Sequence, residues 1–118
     1  MKTMIGIALL AISTAAAAHH STSMFDMEKA MTLTGVVKEF QFNNPHCFIQ
    51  LLVPGEQGEV EWSLEMGSPI HLVRSGWKRN TLKPGDRIQV LIHPVKEGSG
   101  AGQFVSVSYA DGKPVVQP

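Results

Sequence analysis

The sequence predicts an all-β domain with one short helix, its five to six strands bent into a small barrel. Three observations carry that prediction. Apolar residues recur with period two in five separate stretches, clusters of Gly, Pro, Asn and Asp interrupt them at short intervals, and one helix-start signature stands between the third and fourth stretches.

The first 18 residues are not part of that domain. Lys2 precedes an apolar run over 4–12, followed by Ser13, Thr14 and four alanines that satisfy the small-residue rule of signal peptidase. The run is about half the roughly 20 residues needed to span a bilayer, so a retained anchor is the weaker alternative to a cleaved secretory signal. Residues 1–18 are therefore read as a signal peptide, residues 19–31 as an arm, and residues 32–118 as the barrel. The expected location is periplasmic or secreted, with no membrane span after cleavage.

Removal of the signal leaves about 100 residues, enough for one modest core. Ten Lys plus Arg, less Lys2, face ten Asp plus Glu with the signs interspersed. No basic field exists to hold a phosphate backbone, so nucleic acid is not an expected partner. Cys47 is the one cysteine, which leaves no internal disulfide to form.

Taken in order, the arm is short and polar, with Ser23 and Asp26 spaced as a capping box but too little chain for a stable helix. From Thr32 the pattern alternates, with Val36, Phe40 and Phe42 on one parity and Leu33 and Val37 on the other. A bulge at Gly35 would let Leu33 and Val36 both face inward and would bend the strand as a barrel requires. Asn43-Asn44-Pro45 is turn chemistry. The return strand puts Cys47, Ile49, Leu51 and Val53 on one side and His46, Phe48, Gln50 and Leu52 on the other.

Beyond the Pro54–Gly58 turn, Val60, Trp62, Leu64 and Met66 alternate with Glu59, Glu61, Ser63 and Glu65, whose carboxylates are expected to be solvated. Ser68 and Pro69 read as N-cap and first turn of a two-turn helix docked through Ile70, Val73 and Trp77, and Gly76 stops it. Pro84-Gly85-Asp86 turns the chain into a strand with Ile88, Val90 and Ile92 on one face. A glycine-rich hairpin loop over 96–102 leads to the last strand, where Val105, Val107 and Tyr109 alternate with serines. A helix between the third and fourth of five bent strands gives an OB-like barrel, with a six-stranded sandwich as its competitor.

The chain also resembles a family of small exported bacterial proteins catalogued as a domain of unknown function, family 6152. The resemblance rests on Ala18-His19-His20-Ser21, Leu33-Thr34-Gly35-Val36-Val37, Asn44-Pro45-His46, Gly76-Trp77, Pro84-Gly85-Asp86 and Gly98-Ser99. It covers nearly the whole chain and implies a fold and a compartment, not an activity. Where such sequences place an aromatic soon after Asn-Pro-His, this one reads Cys47-Phe48, so the resemblance lends Cys47 no role.

The chemical candidates are few. A cut after Ala17 would put histidine third in the mature chain, where the amine, two amides and the imidazole form the square-planar nitrogen site that copper(II) or nickel(II) prefers. A cut after Ala18 would make His19 the terminal chelate, with His20 completing the site. Both cuts point to copper; the alternative is two histidines that happen to flank a cleavage site.

His46, His71 and His93 stand near element ends and would add ligands if the barrel gathers them, although no H-x-x-x-H or C-x-x-C spacing supports a closed zinc site. The predicted metal set is His19, His20 and His46. Met24, Met27 and Met31 offer thioethers for copper(I), but are better read as apolar anchors of the arm. Cys47 and His46 are strand neighbours pointing to opposite faces, so they form no nucleophile–base pair, and Cys47 is read as a buried thiol. No catalytic set or phosphate loop is present. The expected function is a non-enzymatic exported binding module with a copper site at its mature amino terminus; the alternative is a partner-docking protein with no ligand of its own, using the face of His46, Phe48, Gln50 and Leu52.

Overall fold

The computed structural model describes residues 24–117. The signal segment, His19 and His20 lie outside the described residues. The elements are β1 (Met31–Gln41), β2 (Phe48–Gly55), β3 (Gly58–Glu65), α1 (Pro69–Arg74), β4 (Arg87–Pro94) and β5 (Ala101–Tyr109). The strands close in the order β1-β2-β3-β5-β4, with β4 paired back onto β1. Every pairing is antiparallel except β3 with β5, which is parallel. The architecture is thus the expected small OB-like barrel, with five strands and a helix between the third and fourth. Among the described residues no helix is long and apolar enough to cross a membrane.

Alternation fills the interior. Ile49, Leu51, Leu64, Ile88, Val90 and Ile92 are fully buried, and Leu33 and Val37 join them from β1. Each such side chain stabilises the barrel by about 1.5–3 kcal/mol through removal from water.

Gly35 faces the same interior, but the bulge expected there lies elsewhere. Leu33, Gly35 and Val37 keep one inward parity, and a Cβ on Gly35 would collide with the Leu52 carbonyl oxygen. Glycine is there because β1 and β2 approach too closely for a side chain. The register shift falls between Val37 and Glu39, with Lys38 as the extra residue. Val36 consequently stays outside the buried core, while Phe40 and Phe42 turn in to pack against it.

A second bulge corrects the reading of β5. Ile92 pairs with Phe104 and Leu91 with Ser106, so Val105 is the extra residue. Its side chain is exposed, Phe104 takes the inward position, and Val107 and Tyr109 return to the core as expected.

The helix also differs in its docking face. Ser68 caps it as expected, accepting a hydrogen bond from the His71 N–H, and the amides of Gly76 and Trp77 close its end onto the Val73 and Leu72 carbonyls. Leu72 is the buried residue, however, whereas Ile70 and Val73 are 59% and 52% exposed. With six residues only one turn faces the barrel. Leu72 and Trp77 occupy the contact that the sequence assigned to Ile70, Val73 and Trp77.

The arm is anchored by Phe25, not by the methionines. Phe25 is 3% exposed and bridges to Val95, the Asp26 N–H donates to the Pro94 carbonyl, and the Lys96 N–H donates to the Met24 carbonyl. Met24, Met27 and Met31 remain exposed.

Candidate functional site

The ladder between β2 and β3 continues beyond both strands. The Cys47 N–H donates to the Gly67 carbonyl at 2.9 Å, and the Met66 N–H donates to the Cys47 carbonyl at 2.8 Å. Cys47 thus bonds to two consecutive residues, so the register slips there; Cys47 and Met66 are both buried on the core side, and His46 is left partly exposed. The Asn44–Pro45 peptide just before it is cis.

From that position His46 reaches Glu65, with Nδ1 3.0 Å from Oε1. The Glu65 side chain is 17% exposed and that of His46 42%. Glu65 is therefore not the solvated outer-face carboxylate that alternation predicts. A carboxylate accepts and does not donate, so Nδ1 carries the proton and Nε2 of the neutral ring is left with a free lone pair.

His71 arrives from the other side. A Cβ on Gly67 would lie 2.8 Å from His71 Cδ2, so the missing side chain leaves room for an imidazole over the backbone. His46, Glu65 and His71 line one cleft of about 440 Å³. Trp77, Phe104 and Val105 line it on the side of β5. Trp77 meets Phe104 edge to face, with ring centroids 5.8 Å apart. Only Ser63, Leu64 and Glu65 of β3 pair with β5, and the cleft lies where that pairing ends.

His93 is placed elsewhere. Its Nδ1 is 2.6 Å from the Lys29 carbonyl oxygen, which ties β4 to the arm. Of the three barrel histidines, two share the cleft and the third secures the chain that leads into β1. Among the described residues no group of three or more His, Cys, Asp or Glu is arranged to hold a metal ion.

Cys47 is fully buried, and burial pushes its thiol above the ordinary range, opposed by the Arg79 charge. It has the setting of an inert core thiol. On the outer face of β2, Phe48, Gln50 and Leu52 are half-buried, and Gln50 Nε2 donates to both Gln41 Oε1 and Ser63 Oγ. Val105 on β5 is an exposed apolar residue that lines the cleft, and Ile70 and Val73 are exposed on α1, whose His71 and Leu72 also line it.

The family description "Family of unknown function (DUF6152)" matches residues 8–104. The chain belongs to that family. No curated protein matches it. The DUF6152 match runs from the amino-terminal segment through the cleft as far as Phe104.

Sequence reasoning identified His46 in this DUF6152 protein but missed Glu65, Gln103 and Phe104 as its surroundings. No local signal marks them. Glu65 becomes visible only through the register that sets Phe48 opposite it, and Gln103 only through its parallel pairing with Glu65.

Proposed function

We propose that this DUF6152 protein is a non-enzymatic exported binding module that holds copper(II) through His19 and His20, with His46 as an added imidazole. The observation that carries the reading is the His46–Glu65 contact. Imidazoles that bind metals commonly donate their second ring nitrogen to a carboxylate, which fixes the tautomer and raises the basicity of the ligating nitrogen.

Two further observations support it. A complete site needs donors beyond the described residues, and the histidines there are His19 and His20. Phe25 bridges Val95, the Val95 N–H bonds to the Ala101 carbonyl, and Ala101 pairs with Ser63, two residues from Glu65. The exposed thioethers of Met24, Met27 and Met31 suit copper(I) on the same arm.

The test is copper(II) titration of the mature protein, its first residue established by intact mass. Submicromolar affinity is expected, lost on replacing His19 and His20 by alanine and weakened by His46→Ala. Unchanged affinity in the double variant overturns the proposal.

A second reading, docking of a protein partner without a ligand, is favoured by the exposure of Ile70 and Val73 on α1 and of Val105 on β5. Capture of a periplasmic partner without added metal, abolished by Val73→Ser, would support it. Retention of the same partner by that variant would remove it.

A further inference from the structure

We propose that the cleft between α1 and β5 is a binding site for a small primary ammonium compound with an aromatic or alkyl body, which needs no metal and would compete with copper for His46 Nε2. Three features of the cleft converge on that class of ligand.

The first is charge. Among the residues lining the cleft Glu65 is the one carboxylate, and no Lys or Arg lines it. Glu65 is largely shielded from water, and an ion in such a place interacts more strongly with an opposite charge than one on the open surface.

The second is hydrogen bonding. Nδ1 of His46 is committed to Glu65, so the imidazole offers its remaining nitrogen, Nε2, as an acceptor. A ligand head must therefore donate. An ammonium group donates and also carries the charge that complements Glu65, whereas a carboxylate or phosphate would meet a carboxylate and a lone pair.

The third is the apolar wall. Trp77 and Phe104 stand edge to face, and the bulge at Val105 turns an isopropyl group outward beside them. Aromatic faces favour a nearby cation as well as a hydrocarbon body. The volume of about 440 Å³ is that of a small-molecule site. A β-bulge that re-aims a side chain beside a cleft is a recurrent device at binding sites.

The probe is 2-phenylethylamine, titrated at about pH 8, above the ordinary histidine range, with a chelator present and with the Trp77 indole N–H followed by NMR. 2-Phenylethanol serves as the uncharged comparison. The amine is expected to shift the Trp77 resonance saturably and to bind at least about fivefold more tightly than the alcohol, since a charge-assisted hydrogen bond is roughly twice as strong as a neutral one. Glu65→Gln keeps an acceptor for His46 Nδ1 but removes the charge, and should erase that preference. Val105→Trp fills the cleft from an exposed position and should weaken both probes. With the chelator present, replacing His19 and His20 by alanine should leave amine binding unchanged, which shows that it does not depend on copper held by the arm. The failure of either proposal is thus read independently of the other.

Equal affinity for amine and alcohol, an unaltered preference in Glu65→Gln, or no saturable shift at Trp77 each overturns the proposal. Folding of each variant is checked by the dispersion of its own NMR spectrum, so lost binding is scored only on a native barrel.

Discussion

His46 Nδ1 lies 3.0 Å from Glu65 Oε1, joining the corner before β2 to the last residue of β3. The contact fixes one tautomer of an imidazole that is otherwise free to exchange. Nitrogen-detected NMR of the neutral ring should show the proton on Nδ1, and Glu65→Ala should turn that single state into a mixture. The stability change should stay within about 1 kcal/mol, because His46 is half exposed and such pairs contribute little net energy. A variant that retains a pure Nδ1 tautomer would show that Glu65 does not set it.

Gly35 should tolerate no side chain. A methyl group there collides with the Leu52 carbonyl oxygen, and backbone on the paired strand cannot yield as a flexible side chain can. Gly35→Ala is expected to cost about 2 kcal/mol or more in urea unfolding, the range of overpacked cores. A loss below about 0.5 kcal/mol would mean that β1 and β2 separate more easily than their register implies.

On α1 the order of sensitivity should reverse the one that the apolar pattern gives. Leu72→Ala is expected to destabilise by about 2–4 kcal/mol. Ile70→Ser and Val73→Ser, at exposed positions, should each stay within about 0.5 kcal/mol. Thermal melts of the three variants decide between the two faces.

Cys47 links stability to alkaline pH. Burial raises its folded-state pKa above the ordinary value of 9.0. Below that value both states hold the proton and the linkage contributes nothing adverse. As pH rises past it, the unfolded thiol ionises while the folded one does not, so stability falls. Cys47→Ala should flatten this part of the pH–stability curve relative to wild type, and the native thiol should react with a disulfide reagent only at the rate of unfolding. Rapid labelling of the folded protein would contradict its burial.

Phe25 is the fastening of the arm. Phe25→Ala should remove about 3 kcal/mol of packing, and it should release the Asp26 and Lys96 amides, which bond to the Pro94 and Met24 carbonyls, to hydrogen exchange. If those amides stay protected, the backbone bridge holds the arm without the ring.

Much of the barrel was legible because inward positions repeat every second residue: Ile49 and Leu51, Leu64, and Ile88, Val90 and Ile92 are all buried where alternation puts them. The same rule separated Cys47 from His46 correctly. It failed where a strand holds an extra residue. Lys38 lets Phe40 and Phe42 join the core face of Leu33 and Val37, and Val105 is itself the extra residue, so Phe104 takes the inward place ahead of Val107 and Tyr109; a bulge is a property of two paired strands that neither sequence displays alone. Ile70 and Val73 were misplaced because two turns of helix contain too few apolar residues to define a stripe. The cleft was illegible for a related reason. His46, Glu65 and Gln103 belong to three segments, and only the register of β2, β3 and β5 makes them neighbours.

That register also gives the barrel a seam. β2 and β3 are zipped over eight residue pairs, whereas β3 and β5 share three, after which β5 continues with β4 as its strand neighbour. Local opening begins where the fewest bonds must break together, so the cylinder should breathe along this line before it unfolds elsewhere. Glu65 on one lip and Phe104 on the other both face the cleft at the end of the seam. A molecule lodged there would act as a staple, and its binding energy would appear as slower breathing of the wall it closes.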